Sequence, residues 1–325
     1  MIGTDVSQAA ALLRQGQLVA IPTETVYGLA ANALDVQAVS RIFEAKKRPS
    51  FDPLIVHIGA LAQLETYVTQ LPPLALRLAE HFWPGPLTLL LDRRPLIPDL
   101  VTAGLPQVGI RLPAHPLTQQ LLATLDFPLA APSANPFGYI SPTTAQHVAQ
   151  QLGEQVPYIL DGGPCQVGLE STIVGFPEGR PLVYRLGGIA LEQLEAVIGE
   201  PVERRAHSTS NPQAPGMLKS HYAPRIPFHV GEIDALLEKF PHQNVGVLSL
   251  QTTYPSVNAA WQVQLSPTGH LPEAAGRLFA AMRHLDSLPL DVIVAEWMPE
   301  TGLGRAMNDR LRRAAVPDNL QTGEI

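Results

Sequence analysis

The stretch from residue 18 to 58, LVAIPTETVYGLAANALDVQAVSRIFEAKKRPSFDPLIVHI, determines the fold that we expect for this chain. Its first four residues are apolar and stop at Pro22, which predicts a short buried strand. Apolar residues between positions 36 and 43 then recur three and four apart, which predicts a helix with Asp35 as its N-cap. The apolar run from residue 53 to 58 predicts a returning strand.

Polar residues lie where these elements end. Thr25 follows the first strand, the helix ends in the cations Lys46 and Arg48, and His57 lies within the returning strand. Because ligands of open α/β sheets bind beyond strand ends, hydroxyls, paired cations and an imidazole here favour a phosphorylated ligand. Taken alone, a cationic last turn is more typical of a solvated helix end that complements the helix dipole.

Length, charge and cysteine content favour a two-domain cytoplasmic enzyme. The 325 residues are enough for two cores. Residues 1–202 carry 11 Lys and Arg against 17 Asp and Glu, a net charge of −6, so no broad basic field attracts nucleic acid. The single cysteine, Cys165, suits a reducing cytoplasm. No signal peptide is evident and no apolar run reaches about 18 residues, so we expect no membrane span.

Further polar residues follow the later predicted strands of the first half of the chain. These are Arg111 in VGIRLPAHP, Ser133 and Asn135 in LAAPSAN, Ser141 in SPTT, Ser171 in GLEST and Arg185 in LVYRLGG. From the residues alone, PSAN is also typical of a simple Asx or Ser turn, and a lone Arg at a strand end is typical of a surface ion pair. Both interpretations remain open at this point.

The second half of the chain begins with a polar, proline-containing segment from residue 203 to 215. Strand–helix–strand alternation from residue 226 to 295 then predicts a small Rossmann-like domain. It has no G-x-G-x-x-G, so we expect no dinucleotide site. The tail, GLGRAMNDRLRRAA, places Arg310, Arg312 and Arg313 on a basic helix face that we expect to be solvated.

The motifs PTETVYGL, KKRP, PLIVHI, WPGPLT, DGG, GLESTIV and HYAP together resemble the two-domain form of the threonylcarbamoyl-AMP synthase family over nearly the whole chain. The resemblance implies an α/β fold: a YrdC-like catalytic domain with a twisted mixed sheet at 1–202, and a Rossmann-like domain at 225–325. Residues 203–224 would form the linker and lid. The family's lid usually reads PGMKYRHYAP. This chain has Leu218, Lys219 and Ser220 where that pattern has KYR. Whether Lys219 replaces the usual tyrosine is open.

The resemblance also implies a reaction and its participants. L-threonine, bicarbonate and ATP would give threonylcarbamoyl-AMP and pyrophosphate, and Mg²⁺ would accompany ATP. The product would pass to a tRNA threonylcarbamoyl transferase, and weak tRNA binding is compatible with the concave face of such domains. The oligomeric state and the influence of the second domain on the lid are not determined by the sequence.

Site residues follow from the same resemblance. Lys46 and Arg48 would be catalytic, holding phosphates and stabilising charge as pyrophosphate leaves. ATP-binding residues would be Lys46, Arg48, Asp52, Ser133, Asn135, Ser141, Arg185 and Tyr222. Threonine-binding residues would be Thr25, His57, Arg111, Ala131 and Ser171. No metal ligand is identified, and Glu24 is a candidate general base without a second supporting feature.

Two other classes of protein are disfavoured by the sequence. An RNA-binding module is disfavoured by the net negative charge of residues 1–202. A carbamoyl-transfer domain like that of hydrogenase-maturation proteins would come with cysteine pairs and an acylphosphatase region, which this sequence lacks. The chain also has no Walker A loop, HExxH, CxxC or G-x-S-x-G motif. The nucleophile is therefore expected to be a substrate group.

Overall fold

A computed structural model describes residues 1–205 and 221–315 of the chain. The chain divides into two compact units. The first unit comprises Met1–Phe137, Ser141–Gln166 and Glu170–Leu218, and the second comprises Gly138–Ile140, Val167–Leu169 and Lys219–Ile325. Most of the predicted lid, including Lys219, lies outside the described residues, so the linker and lid remain a prediction.

The first unit alternates short strands with helices. Its strands are β1 (Ile2–Gly3), β2 (Val19–Ile21), β3 (Gly28–Asn32), β4 (Ile55–His57), β5 (Leu87–Asp92), β6 (Gln107–Arg111), β7 (Leu129–Ala130), β8 (Tyr158–Leu160), β9 (Thr172–Gly175), β10 (Leu182–Arg185) and β11 (Glu203–Arg204). Its helices are α1 (Val6–Arg14), α2 (Val36–Lys46), α3 (Leu64–Tyr67), α4 (Pro73–Phe82), α5 (Asp99–Thr102), α6 (Pro116–Thr124), α7 (Ala145–Leu152) and α8 (Leu191–Ile198).

The strands of the first unit form one mixed sheet, in the order β1-β8-β2-β3-β7-β4-β6-β5-β9-β10-β11. This confirms the predicted mixed sheet. The sequence did not predict β3, which pairs antiparallel with both β2 and β7. Its residues, GLAAN, include no β-branched or aromatic side chain, so neither propensity nor alternation marks them as a strand. In the stretch LAAPSAN the strand β7 comprises only Leu129–Ala130, so Ser133 and Asn135 lie beyond its end.

The two faces of this sheet differ in chemistry. One face is apolar, with Val56 and Ile110 in a core cluster that includes residues of α2, α4, α7 and α8. On the opposite face, α1 and α6 cover the region of β8, β2, β3 and β7, in a second cluster that includes Leu129. Beyond that cover, the same face carries His57 paired in register with Arg111. Buried polar side chains here predict a functional surface rather than a core.

The second unit is a small α/β structure. It contains β12 (Phe228–Val230), α9 (Ile233–Lys239), β13 (Val245–Ser249), β14 (Gln262–Gln264), α10 (Leu271–Asp286), β15 (Val292–Ala295) and α11 (Gly304–Ala314). Its strands are all parallel, in the order β12-β15-β13-β14. This confirms the predicted smaller α/β domain. In residues 1–205 and 221–315, no helix combines the length and apolar character needed to cross a membrane.

The predicted solvated basic face of the C-terminal helix is wrong for two of its three arginines. Arg310 is 0% exposed and Arg313 is 2% exposed. Both guanidinium groups bond Oδ2 of Asp309, at 3.1 and 3.4 Å, and both lie over the ring of Tyr222. The carboxylate and the aromatic face offset the cost of burying these charges. Arg312 is exposed, as predicted, and lies over Trp297.

The N-cap of α2 supports a stability prediction. Asp35 accepts hydrogen bonds from the backbone N–H groups of Gln37 (2.9 Å) and Ala38 (3.3 Å). Asp35→Ala removes both, so the free energy of unfolding should fall by about 1 kcal/mol in urea titrations followed by circular dichroism. Asp35→Asn keeps an acceptor and should match the parent protein. An equal loss in both variants would contradict the capping role.

Candidate active site

The candidate residues of the first unit fall into three groups. The carboxylate pocket comprises Glu24, His57 and Arg111; the hydroxyl cluster comprises Thr88, Ser171 and Arg185; the cation loop comprises Lys46, Arg48 and Asp52. The strand register relates the first two groups: His57 pairs with Arg111, while Thr88 and Arg185 both pair with Ile173. The paired side chains therefore share one face of the sheet.

An ion pair lies at the centre of the carboxylate pocket. Arg111 donates from Nη2 to Oε1 of Glu24 at 2.7 Å, and Oε2 of Glu24 accepts from the backbone N–H of Ala114 at 3.0 Å. Both side chains are buried. Since both carboxylate oxygens are bonded, Glu24 acts in this arrangement as the counterion of Arg111 rather than as an available base. Arg111 Nε is buried and has no hydrogen-bond partner among the described residues, so this donor remains for a ligand.

His57 is neutral beside this ion pair. Burial, and secondly the positive charge of Arg111, lower the pKa of His57 from 6.5 to about 3. Its Nδ1 atom is buried and has no hydrogen-bond partner within the described part of the chain. A neutral imidazole has one donor and one acceptor nitrogen. His57 can therefore orient a ligand that also meets Arg111, without adding charge.

The hydroxyl cluster fixes Ser171. Its Oγ shares a hydrogen bond with Oγ1 of Thr88 at 2.7 Å and accepts from Nη2 of Arg185 at 3.0 Å. Arg185 also donates to the carbonyl of Ser171 from Nη2 (2.9 Å) and Nε (3.1 Å). Arg185, predicted for the nucleotide, thus contacts the residue predicted for threonine. Thr88 was missed, although a hydroxyl inside the apolar run LTLLL was a visible signal.

The cation loop is buried and bonded to the protein itself. Lys46 is 1% exposed, and its Nζ donates to the carbonyl oxygens of Ser133 (2.5 Å) and Asn135. Burial, and then the charge of Arg48, hold the pKa of Lys46 well below its usual range. An ammonium group has three donors, so these two carbonyls leave one. Lys46 therefore joins the end of α2 to the 133–135 loop.

Arg48 and Asp52 form a buried ion pair in the same loop. Arg48 Nη2 lies 2.9 Å from Oδ2 of Asp52 and donates to the carbonyl of Pro53 at 2.8 Å. Its Nε donates to the carbonyl of Asp52 at 3.2 Å. Arg48 is therefore held by the returning turn before β4. Asp52 contacts a cation of its own loop, which explains how a carboxylate is tolerated beside residues predicted to bind phosphate.

The remaining predicted residues lie in different places. Ser141 donates to Oε1 of Glu170 at 2.6 Å, and Thr25 shares a hydrogen bond with Thr23 at 2.7 Å. The N–H of Ala131 is used by the carbonyl of Ile55 at 3.0 Å. Tyr222 belongs to the second unit, where it stacks on Phe279 with ring centroids 5.4 Å apart. The structure therefore groups Ser141 with Glu170, a residue that was not among the predicted ligands.

Comparison with known families agrees with this architecture. Residues 11–187 match the Sua5–YciO–YrdC family model, described as "Telomere recombination". Residues 189–316 match a model described as "Threonylcarbamoyl-AMP synthase, C-terminal domain". The chain therefore belongs to the two-domain Sua5 family, the threonylcarbamoyl-AMP synthases. It is an ATP-using enzyme of that class, which confirms the family, fold and activity predicted from the motifs.

Individual relatives align over most of the chain. The threonylcarbamoyl-AMP synthase of Pyrococcus abyssi is 44% identical, covering 94% of this chain and 93% of the relative. That of Bacillus subtilis is 43% identical, covering 95% and 92%. The crystal structure of P. abyssi Sua5 complexed with L-threonine has a TM-score of 0.90 at 43% identity, covering 95% of this chain and 94% of the other. A shorter relative, a putative threonylcarbamoyl-AMP synthase of Mycobacterium tuberculosis, is 36% identical over 59% of this chain and 88% of itself.

The shifted pKa of His57 predicts how stability depends on pH. In the unfolded chain the imidazole takes up a proton as the pH falls below 6.5, but in the folded chain only near 3. The stability that neutral His57 contributes is therefore complete above pH 6.5 and is lost as the pH falls toward 3. From about pH 7 to about pH 5, the parent protein should lose about 2 kcal/mol more free energy of unfolding than His57→Gln.

Urea titrations at the two pH values measure this difference. His242 is exposed. His242→Gln is therefore the matched control and should keep the pH dependence of the parent protein. If His57→Gln and the parent protein lost stability in parallel, His57 would not be the buried neutral group described above.

Proposed function

We propose that this chain joins L-threonine, bicarbonate and ATP to form threonylcarbamoyl-AMP and pyrophosphate. The observation that carries the proposal is the carboxylate pocket: the buried Nε donor of Arg111, which has no partner among the described residues, beside neutral His57. A site with an available guanidinium donor and an uncharged imidazole suits the carboxylate of a small amino acid. The relative from P. abyssi, crystallised with L-threonine, supports threonine as that amino acid.

In this proposal, Arg111 binds the threonine carboxylate through Nε. Because Glu24 balances the charge of Arg111, the guanidinium is not an isolated buried cation, and its geometry is fixed before the ligand arrives. His57, Ser171, Thr25 and the backbone near Ala131 surround the amine and side chain of threonine. The N–H of Ala131 is occupied by Ile55, so Ala131 contributes its carbonyl or its methyl group.

The triphosphate of ATP contacts Lys46 and Arg48. The remaining N–H of Lys46 would point to a phosphate oxygen, while its two carbonyl partners hold the ammonium in place. An adjacent polyphosphate favours the charged ammonium, so nucleotide binding raises the pKa of Lys46 from its lowered value in the free protein. In this proposal Ser133, Asn135, Ser141 and Arg185 hold the AMP portion, and the contact predicted for Tyr222 from the sequence stays a prediction.

The chemistry requires positioning more than a protein nucleophile. The threonine amine and bicarbonate form a carbamate with loss of water. A carbamate oxygen then attacks the α-phosphorus of ATP, and the bond to the leaving pyrophosphate breaks. Mutual repulsion of these anions is the main obstacle, which fixed cations in a buried site reduce. Exclusion of water also protects the carbamate from decomposition.

Mg²⁺ would enter with ATP rather than reside in the protein. Among residues 1–205 and 221–315, no three His, Cys, Asp or Glu side chains are grouped so that they could hold a metal ion. The carboxylates near the site are engaged with protein partners: Glu24 with Arg111, Asp52 with Arg48, and Glu170 with Ser141. When bound to the phosphates, Mg²⁺ would neutralise part of their charge.

The product is proposed to pass to a tRNA threonylcarbamoyl transferase in the cytoplasm. A mixed anhydride of AMP is reactive, so direct transfer limits its hydrolysis, and a weak contact with tRNA is compatible with that role. Cys165 fits a reducing compartment: it is buried as a free thiol, and burial raises its pKa to about 12.

Lys46 provides the direct test of the phosphate contact. Pyrophosphate release by purified protein should require L-threonine, bicarbonate and ATP together. Lys46→Ala should reduce kcat by about 100-fold or more, since a preorganised donor to the transferring phosphates is lost. Lys47→Ala is the matched control, because Lys47 is the adjacent lysine but is exposed, and it should retain activity. Release that is independent of threonine, or an equal loss in both variants, would contradict the proposal.

Metal removal separates a resident ion from one carried by ATP. Excess EDTA should stop pyrophosphate release, and added Mg²⁺ should restore it. The urea midpoint of the ligand-free protein should not change with EDTA, because the proposed ion arrives with the nucleotide. A lower midpoint after EDTA treatment alone would instead indicate a resident metal.

A further inference from the structure

Two tripeptides of the first half of the chain belong to the second unit. These are Gly138–Ile140 and Val167–Leu169. Each is followed immediately by a residue of the candidate site: Ser141 after the first and Glu170 after the second. Ser141 and Glu170 bond each other, with Oγ and Oε1 2.6 Å apart. Each partner of this hydrogen-bonded pair therefore directly follows a tripeptide that belongs to the second unit.

Helix α10 holds the first tripeptide through its last turn. The hydroxyl of Tyr139 donates to Oδ2 of Asp286, and Arg283 donates from Nη2 to the carbonyl of Ile140. The guanidinium of Arg283 also lies 5.1 Å from the centre of the Tyr139 ring. Asp286 and Arg283 are both buried. Hydrogen bonds to buried charged groups are stronger than those between neutral groups, so these bonds restrain Tyr139 and Ile140 against α10.

Asp286 is itself fixed. Its Oδ1 accepts from the backbone N–H groups of Arg225 (2.8 Å) and Ile226 (3.0 Å), and its Oδ2 accepts from Nε of Arg225 at 3.0 Å. The carbonyl of Gly138 accepts from the N–H of Ala223 at 2.9 Å. The first tripeptide is thus held along its length by residues of the second unit.

The same helix contacts the second tripeptide through backbone. Gly168 has a φ of +69°, and a Cβ atom there would lie 2.6 Å from the carbonyl oxygen of Ala275 and 2.6 Å from Cα of Gly276. Only glycine fits this conformation and this approach. Helix α10 therefore determines the position of both tripeptides, one with side chains and one by close backbone contact.

We propose that helix α10 positions the Ser141–Glu170 pair, and through it the ATP subsite, with Tyr139, Asp286 and Gly168 as positioning residues. One peptide unit separates Ile140 from Ser141, and another separates Leu169 from Glu170, so displacement of either tripeptide moves its neighbour directly. This inference rests on the proposed function, in which Ser141 and Asn135 contact AMP. It gives the second unit a role in binding ATP.

Two conservative substitutions with matched controls test the inference. Tyr139→Phe removes one hydroxyl, and Gly168→Ala adds one methyl group. Each should raise KM for ATP about tenfold, as expected for loss of a charge-assisted hydrogen bond or a shift of the subsite, with little change in KM for threonine. Tyr254→Phe makes the same chemical change elsewhere in the second unit and should keep the KM for ATP.

Gly179→Ala is the control for Gly168→Ala. Gly179 also has a positive φ, +78°, but a Cβ atom there would meet nothing within 4 Å. Gly179→Ala therefore introduces the same backbone strain without a clash against α10. KM for ATP should stay at the value of the parent protein. A rise in KM equal to that of Gly168→Ala would contradict the role of the helix contact.

A double-mutant cycle distinguishes positioning from general stability. If Tyr139 acts through Ser141, then Tyr139→Phe should change KM for ATP by less than about twofold in a Ser141→Ala background. Independent, multiplicative effects would overturn the inference. A lower urea midpoint with unchanged KM for ATP in both Tyr139→Phe and Gly168→Ala would also overturn it, because the contacts would then serve stability alone.

Failure of the proposed function would be recognised separately. In that case the parent protein would release no pyrophosphate with threonine and bicarbonate. The same variants would then be compared by calorimetric titration with ATP alone. Weaker ATP binding by Tyr139→Phe and Gly168→Ala, but not by their controls, would still support the positioning role of α10. Equal binding by all of them would overturn it.

Discussion

Burial of charge constrains the rest of the first unit. An unpaired buried ion is costly, so each buried cation requires a partner at a fixed distance. Arg111 has Glu24, Arg48 has Asp52, and Lys46 has two backbone carbonyls. These partners come from loops after β2, α2 and β7. The need to neutralise charge therefore fixes each of these loops to a cation, while the apolar face of the sheet packs in a separate core.

This arrangement also explains how anions can be bound without flexible surface cations. A lysine or arginine on the surface loses side-chain entropy when it grips a ligand, whereas a buried and bonded one has lost that entropy on folding. Lys46 retains one donor after its two carbonyl bonds are counted, and the Nε donor of Arg111 has no partner among the described residues. The site therefore presents a few donors with fixed directions, as electrostatic stabilisation of a developing charge requires.

Local features of the fold were predictable from the sequence, and non-local features were not. Helix α2 followed from its periodicity and from Asp35, because those signals act within one turn. The strand order could not be predicted, since pairing of β4 with β6 and β7 joins residues more than fifty positions apart. β3 lacked a signal altogether. Arg310 was wrongly expected at the surface, because a sequence does not show that the ring of Tyr222 lies beneath a guanidinium.

Prediction of the candidate site had a similar limit. The motifs predicted the residue types of the site and the classes of ligand that they bind. They did not predict which protein groups each side chain bonds. Glu24 was considered as a base, whereas both its oxygens are bonded. Arg185 remains a predicted nucleotide-binding residue, and the structure adds that it bonds Ser171. For Glu24, a bond to a segment 87 positions away in sequence determines the role. Residue identity determines which charges are present, and tertiary pairing determines which donors remain for a ligand.

Some relatives are too short to contain an equivalent of the second unit. The M. tuberculosis relative aligns with 59% of this chain and has little length beyond that alignment, since 88% of it is covered. A chain of that length has no room for the equivalent of residues 189–316, which include helix α10. The bonds from Tyr139 and Ile140 to α10 therefore have no counterpart from such a helix in a chain of that length. Under the proposed positioning role, the two-domain form uses α10 to hold the residues that immediately precede Ser141 and Glu170.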